Sequence, residues 1–122
     1  MKKAEKRQCV LVVDDHPKIL MFVEIDLKLH GFKVITTTSG EEALELIKSA
    51  KPDIMLLDII MPGMDGFEVL RKLRAFTQLP VIALSANTGN YDDTIRLGAN
   101  AFMPKPFQPD EMVVRIKALL RN

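Results

Sequence analysis

The sequence predicts an α/β fold: a single doubly wound five-stranded parallel sheet with helices on both faces. Three observations carry this. Five short strand-like runs, apolar or β-branched, recur along the chain: Cys9–Val13, Phe32–Thr37, Ile54–Leu57, Pro80–Leu84 and Ala101–Met103. Segments with apolar residues at helical spacing separate them. The connections are short and marked by Gly and Pro, with no internal repeat or linker. Strands that alternate with helices of this length pair in parallel and are covered on both faces. Near-continuous apolar runs such as IMLL and VIAL suit that burial better than alternating ones.

Each element has its own signal. Pro17 opens the first helix, where a missing N–H costs nothing, and Leu20, Val23 and Leu27 give its buried stripe up to a stop at Gly31. Residues 32–37 are rich in β-branched side chains, which favours a strand. Ser39 and Glu42 form a capping-box pattern ahead of Ala43, Leu46, Ile47 and Ala50. Asp65 caps a helix carrying Phe67, Leu70 and Leu73. The segment from about Thr88 to Leu97 has few apolar residues, so it predicts the least firmly packed helix, ending at Gly98. Pro109 starts the last helix, with Asp110 and Glu111 in its first turn and Val113, Ile116 and Leu120 on its inner face.

Composition narrows the function classes. The chain has 122 residues, 48% of them hydrophobic, which suits one domain with a substantial core. Lys plus Arg is 17 against 16 for Asp plus Glu, so no global field points to nucleic acid. Residues 1–7 read as a basic, solvated tail and residues 8–122 as the domain. No run is long enough for a membrane span, and the run after the basic start is too short for a signal peptide. The single Cys9 excludes an intrachain disulfide and is read as core. Together these features predict a cytoplasmic protein.

The chemistry gathers at one edge. In open parallel sheets, ligands bind beyond the carboxyl ends of the strands. The residues there are Asp14-Asp15, Asp58, Ser85 and Lys105. Asp58 stands out because it interrupts the apolar stretch Ile54–Met61, where an unpaired carboxylate is costly. Three acids at one rim repel, and a divalent cation is the simplest remedy. Oxygen donors suit Mg2+. A carboxylate is also a competent phosphoryl acceptor, and the incoming group has three charged oxygens for a cation, the Lys105 ammonium and the Ser85 hydroxyl to meet. Singly, each residue has a plainer reading. Asp14 and Asp15 can cap the helix at Pro17, Ser85 the next helix, Asp58 can bond the turn below it, and Lys105 can be a solvated loop residue.

The segments VVDDHP at 12–17, LLDIIMPGMDG at 56–66, VIALSA at 81–86, GANAF at 98–102 and KPF at 105–107 resemble, in order, the receiver domain of two-component response regulators. The resemblance implies a flavodoxin-like sheet of order 2-1-3-4-5. It makes Asp58 the phosphoacceptor, with Mg2+ held by Asp15, Asp58 and the backbone carbonyl of Ile60, and by Asp14 through water. Lys105 would bridge to Asp58 and then to the phosphoryl group, and Ser85 would move towards it. Phe102 takes the place of the family's rotating aromatic, here without a hydroxyl, and Lys105-Pro106 is expected to be cis.

The implied partners are a sensor histidine kinase or histidine phosphotransfer protein and an output partner or effector domain. The kinase would dock on the first helix and neighbouring loops around His16–Phe22, with His16 as a loop residue that could also tune docking. Direct binding to nucleic acid or membrane is not implied by this domain. Phosphorylation-linked pairing of two copies is a habit of the family. Turnover of an external substrate is not expected: phosphohydrolases of the haloacid dehalogenase type want a second Asp two residues past the nucleophile, where this chain has Ile60. A degenerate binding module on the same fold is a further reading. No DNA-binding or catalytic module is legible after the last helix, so the chain reads as a stand-alone receiver or as part of a larger regulator.

Overall fold

A computed structural model describes residues 7–121; most of the basic tail read at 1–7 lies outside the described residues. The strands are β1 (Cys9–Val13), β2 (Lys33–Thr37), β3 (Ile54–Asp58), β4 (Val81–Ser85) and β5 (Ala101–Pro104). The helices are α1 (Pro17–Leu29), α2 (Gly40–Ala50), α3 (Gly66–Leu73), α4 (Tyr91–Arg96) and α5 (Pro109–Leu120), with a 3-10 turn at Thr88–Asn90 ahead of α4. The strands form one sheet in the order β2-β1-β3-β4-β5, and every pairing is parallel.

Pleating sends alternate strand residues to opposite faces. Val10, Val12, Ile54, Leu56, Ile82 and Leu84 meet α1 and α5 through Leu20, Val23, Leu27, Met112, Val113 and Ile116. Leu11, Val13, Met55, Leu57, Val81 and Ala83 meet α2 and α3 through Ala43, Ile47, Val69, Leu70 and Leu73. Both faces are therefore dry, which explains why β3 and β4 are apolar throughout.

Some details differ from the sequence reading. Cys9 is only half-buried, because it begins β1 at the sheet's lower edge. Ala50 is exposed at the end of α2, and Leu120 is half-buried where α5 runs off the sheet. Ser39 does cap α2, accepting from Glu42 N–H at 3.1 Å, but the Glu42 carboxylate accepts from the Thr37 hydroxyl instead of closing the box. The helix read over 88–97 is a 3-10 turn followed by six helical residues, with Thr94 its one fully buried side chain.

The far end of α4 is clamped. Arg74 donates to the Gly98 carbonyl from Nε (3.1 Å) and Nη2 (2.8 Å), and Nη2 also reaches Asn100 Oδ1 at 3.1 Å. Gly98 has φ +109°, and a Cβ there would lie 2.9 Å from Arg74 Nε. Only glycine suits both demands.

Candidate functional site

The register brings the rim together. Val13 pairs with Leu57, Asp58 with Leu84, and Ser85 with Pro104. The first residues past β1 and β5, Asp14 and Lys105, therefore flank the last residues of β3 and β4. The ladder continues through Lys105 N–H to Ser85 O at 2.9 Å and Ile59 N–H to Leu84 O at 2.9 Å. Pro104 offers no N–H, but β5 is an edge strand, where that loss is tolerated. The Lys105-Pro106 peptide is cis, as expected.

Asp14 and Asp58 are almost fully buried, and Asp15 is half-buried beside them. The Lys105 ammonium reaches into this group, 2.7 Å from Asp14 Oδ2 and 3.5 Å from Asp58 Oδ2. Asp58 Oδ1 accepts from Ile60 N–H at 3.3 Å. Its Oδ2 is buried without a hydrogen bond, and so is Asp15 Oδ1. Burial, then the charge of Asp14, pushes the Asp58 carboxyl up to about 6; Lys105 opposes this. Buried oxygens left unbonded in a cluster of like charge are an unmet demand for a cation.

His16 belongs to the same cluster, which its reading as a loop residue missed. It is the N-cap of α1, and its Nδ1 lies 3.0 Å from Asp14 Oδ1 and 3.1 Å from Asp15 Oδ1. Nδ1 has at most one hydrogen, so it cannot satisfy both oxygens. The hydrogen bond to Asp14, and then the charge of Asp15, raises the imidazole pKa. One donor atom from each of Asp14, Asp15, His16 and Asp58 falls within 4.8 Å of the others. Mostly hard oxygen donors with unbonded lone pairs fit Mg2+. Neither acid at 14 or 15 caps α1: its N-cap side chain makes no capping bond, and Asp14 Oδ1 instead accepts from His16 N–H at 2.9 Å.

Ser85 is fully buried, but its hydroxyl is spent elsewhere. It donates to Asn90 Oδ1 at 2.8 Å and accepts from Asn87 N–H at 3.0 Å. Phe102 is buried on the α2–α3 face, with its ring edge-on to Tyr91 at 5.7 Å and 82°. Gly66 closes the loop after Asp58. Its N–H bonds Ile59 O at 2.9 Å, and a Cβ there would lie 2.5 Å from Ile59 Cα.

The family profile described as "Response regulator receiver domain" matches residues 10–117. The chain belongs to the response regulator receiver family. Receiver domains are phosphoacceptor signalling modules of two-component systems, not classical enzymes, and they bind Mg2+ at an acidic pocket such as this one. The receiver is 40% identical over 118 residues to the DNA-binding response regulator MtrA of Mycolicibacterium smegmatis, covering 95% of this chain and 52% of that one. It is 40% identical over 116 residues to the alkaline phosphatase synthesis transcriptional regulatory protein PhoP of Bacillus subtilis, covering 93% and 48%. The chain thus spans about half the length of these relatives. Among solved structures, chemotaxis protein CheY4 of Vibrio cholerae superposes with a TM-score of 0.87 at 30% identity, covering 93% of this chain and 98% of that one. The BeF3-activated N-terminal receiver domain of Klebsiella pneumoniae RstA gives 0.89 at 30% identity, covering 94% and 100%. Among the described residues of the receiver, no helix is long and apolar enough to cross a membrane.

Proposed function

We propose that this receiver, residues 8–122 behind a basic tail at 1–7, accepts a phosphoryl group on Asp58 from the phosphohistidine of a sensor kinase or a phosphotransfer protein. The observation that carries the assignment is the buried Asp58 Oδ2, unbonded and facing the Lys105 ammonium at 3.5 Å. A carboxylate oxygen of Asp58 attacks phosphorus as the bond to the donor imidazole nitrogen breaks. The electron pair leaves with the imidazole. Small acyl phosphates serve as donors in the same way, with a carboxylate leaving. No external phosphate ester is turned over.

Asp15, Asp58 and the Ile60 carbonyl would hold Mg2+ directly, and Asp14 through water. When bound, the ion offsets the charge of the acids and of the phosphoryl oxygens. The chain's own contribution is placement. Lys105 meets one phosphoryl oxygen, and Ser85 turns its hydroxyl to another. That movement, with Phe102, biases the face formed by α4, β5 and α5, where an output partner, an effector domain or a second copy binds. The coupling is limited to the phosphoryl group's differential interaction with the two states.

The donor's docking surface is α1 and the loops beside it. Met21, Phe22 and Ile25 of α1 are exposed at 62%, 54% and 56%. Next to Phe22, a recess of about 320 Å3 is lined by Ile19, Ala86, Pro106 and Phe107, beside Lys105. An apolar patch beside Lys105 suits a helical phosphodonor. The kinase chemistry assigns the protein to the cytoplasm.

The test is to incubate the protein with a small acyl phosphate and Mg2+ and measure intact mass. One added phosphoryl group is expected, absent in Asp58→Asn and absent in chelator. Unchanged mass of the wild type would sink the reading.

A further inference from the structure

Asn90 ends the 3-10 turn that runs directly into α4 and has helical backbone angles; the capping bond of this segment is made upstream by Asn87, whose Oδ1 accepts from Gly89 N–H at 2.9 Å. Asn90 itself makes no capping bond. Its carboxamide is turned back to the end of β4, where Oδ1 accepts the Ser85 hydroxyl at 2.8 Å. Ser85 Oγ also accepts from Asn87 N–H at 3.0 Å. The hydroxyl has one hydrogen, and Asn90 holds it.

We propose that Asn90 is a positioning residue that latches Ser85 in the unmodified receiver. This rests on the phosphoacceptor reading above, because a phosphoryl group on Asp58 is what competes for the hydroxyl. To donate to a phosphoryl oxygen, Ser85 must give up Asn90.

The packing around α4 makes its start the movable end. The far end is fixed by the Arg74 bonds to Gly98 and Asn100. The near end is held by the Ser85–Asn90 bond and by Tyr91, the next residue, against the Phe102 ring. Releasing Asn90 therefore acts on the residue that touches Phe102. This links Ser85 to an aromatic that lacks a hydroxyl of its own.

A hydrogen bond of this kind shifts an equilibrium by about three- to ten-fold. The probe is fluoroberyllate with Mg2+, a phosphoryl mimic. The readout is the fluorescence of Tyr91, the one tyrosine in a chain without tryptophan. Titration midpoints are compared in wild type, Asn90→Ala, Ser85→Ala and the double variant. Asn90→Ala is expected to lower the midpoint about three- to ten-fold when Ser85 is present, and to leave it unchanged in the Ser85→Ala background. Asn90→Ser keeps a short polar side chain but withdraws the acceptor from reach of Ser85, and it is expected to behave as Asn90→Ala. An unchanged midpoint with Ser85 present, or an equal shift in both backgrounds, overturns the latch. Failure of the underlying reading is distinct: wild-type protein would gain no phosphoryl mass from an acyl phosphate.

Discussion

The Lys105 ammonium lies nearer to Asp14, at 2.7 Å, than to Asp58, at 3.5 Å. Its main partner is thus the most deeply buried acid of the site. Removing Lys105 would leave Asp14 with only the exposed His16 as a counter-charge. Losing one member of a buried pair costs about 3 kcal/mol. Lys105→Met is expected to lose stability on that scale in chelator, by urea unfolding, and to regain part of it in millimolar Mg2+. Equal losses with and without the ion would mean that the acids are not its cause.

Asp58 sets a pH dependence of opposite sign to that of a salt-bridged carboxylate. Its folded pKa is pushed up to about 6, above the ordinary carboxylate range. Between about pH 4 and 6 the folded protein keeps a proton that the unfolded chain has lost. Stability therefore falls as pH rises through that window, and the full penalty is present above it. The shift corresponds to about 2 to 3 kcal/mol. In metal-free buffer, Asp58→Asn is expected to be more stable than wild type by roughly that amount at pH 7.5, with the gap closing towards pH 4. Urea midpoints across this range check it, and a gap independent of pH would contradict it.

Gly66 ties the start of α3 to the backbone of the acceptor loop. A Cβ there would lie 2.6 Å from Asp58 O and 2.5 Å from Ile59 Cα, and neither is a flexible side chain that can yield. Gly66→Ala is expected to cost about 2 to 3 kcal/mol, as overpacking does. It should also slow phosphorylation, because the relief available is a shift of the Asp58 backbone. Urea unfolding and the rate of mass gain from an acyl phosphate measure the two effects. A variant with an unchanged unfolding midpoint would show that the contact relaxes freely.

The strands were legible because CVLVV, IMLL and VIAL are apolar on both faces, a pattern that two layers of helix demand. Asp58 was legible for the same reason: an acid inside such a run needs a purpose. Its neighbours at the rim followed from chain order alone, since parallel strands all end at one edge. Asn90 was not legible. Nothing in the spacing of Asn90 from Ser85 says that its carboxamide turns back to that hydroxyl; only the folded 3-10 turn brings them together. His16 was missed because its tie to Asp14 and Asp15 depends on how the chain turns into α1. Cys9 was misjudged because an apolar run does not say which of its ends meets solvent.

Ile60 is expected to set how long a phosphoryl group on Asp58 lasts. Its side chain is 54% exposed beside the acceptor, while its N–H holds Asp58 Oδ1. Hydrolysis of an aspartyl phosphate needs a water in line with phosphorus, and a hydrogen-bonding side chain at this mouth orients one. An isoleucine offers no such bond and displaces ordered water with hydrocarbon. Positioning of this kind is typically worth a factor of about ten or more. Ile60→Asn is therefore expected to shorten the lifetime of the phosphorylated form by about tenfold, while Ile60→Leu leaves it unchanged. The decay is followed by intact mass after the donor is removed. A lifetime unchanged or lengthened by Asn would assign the rate to another group at the site.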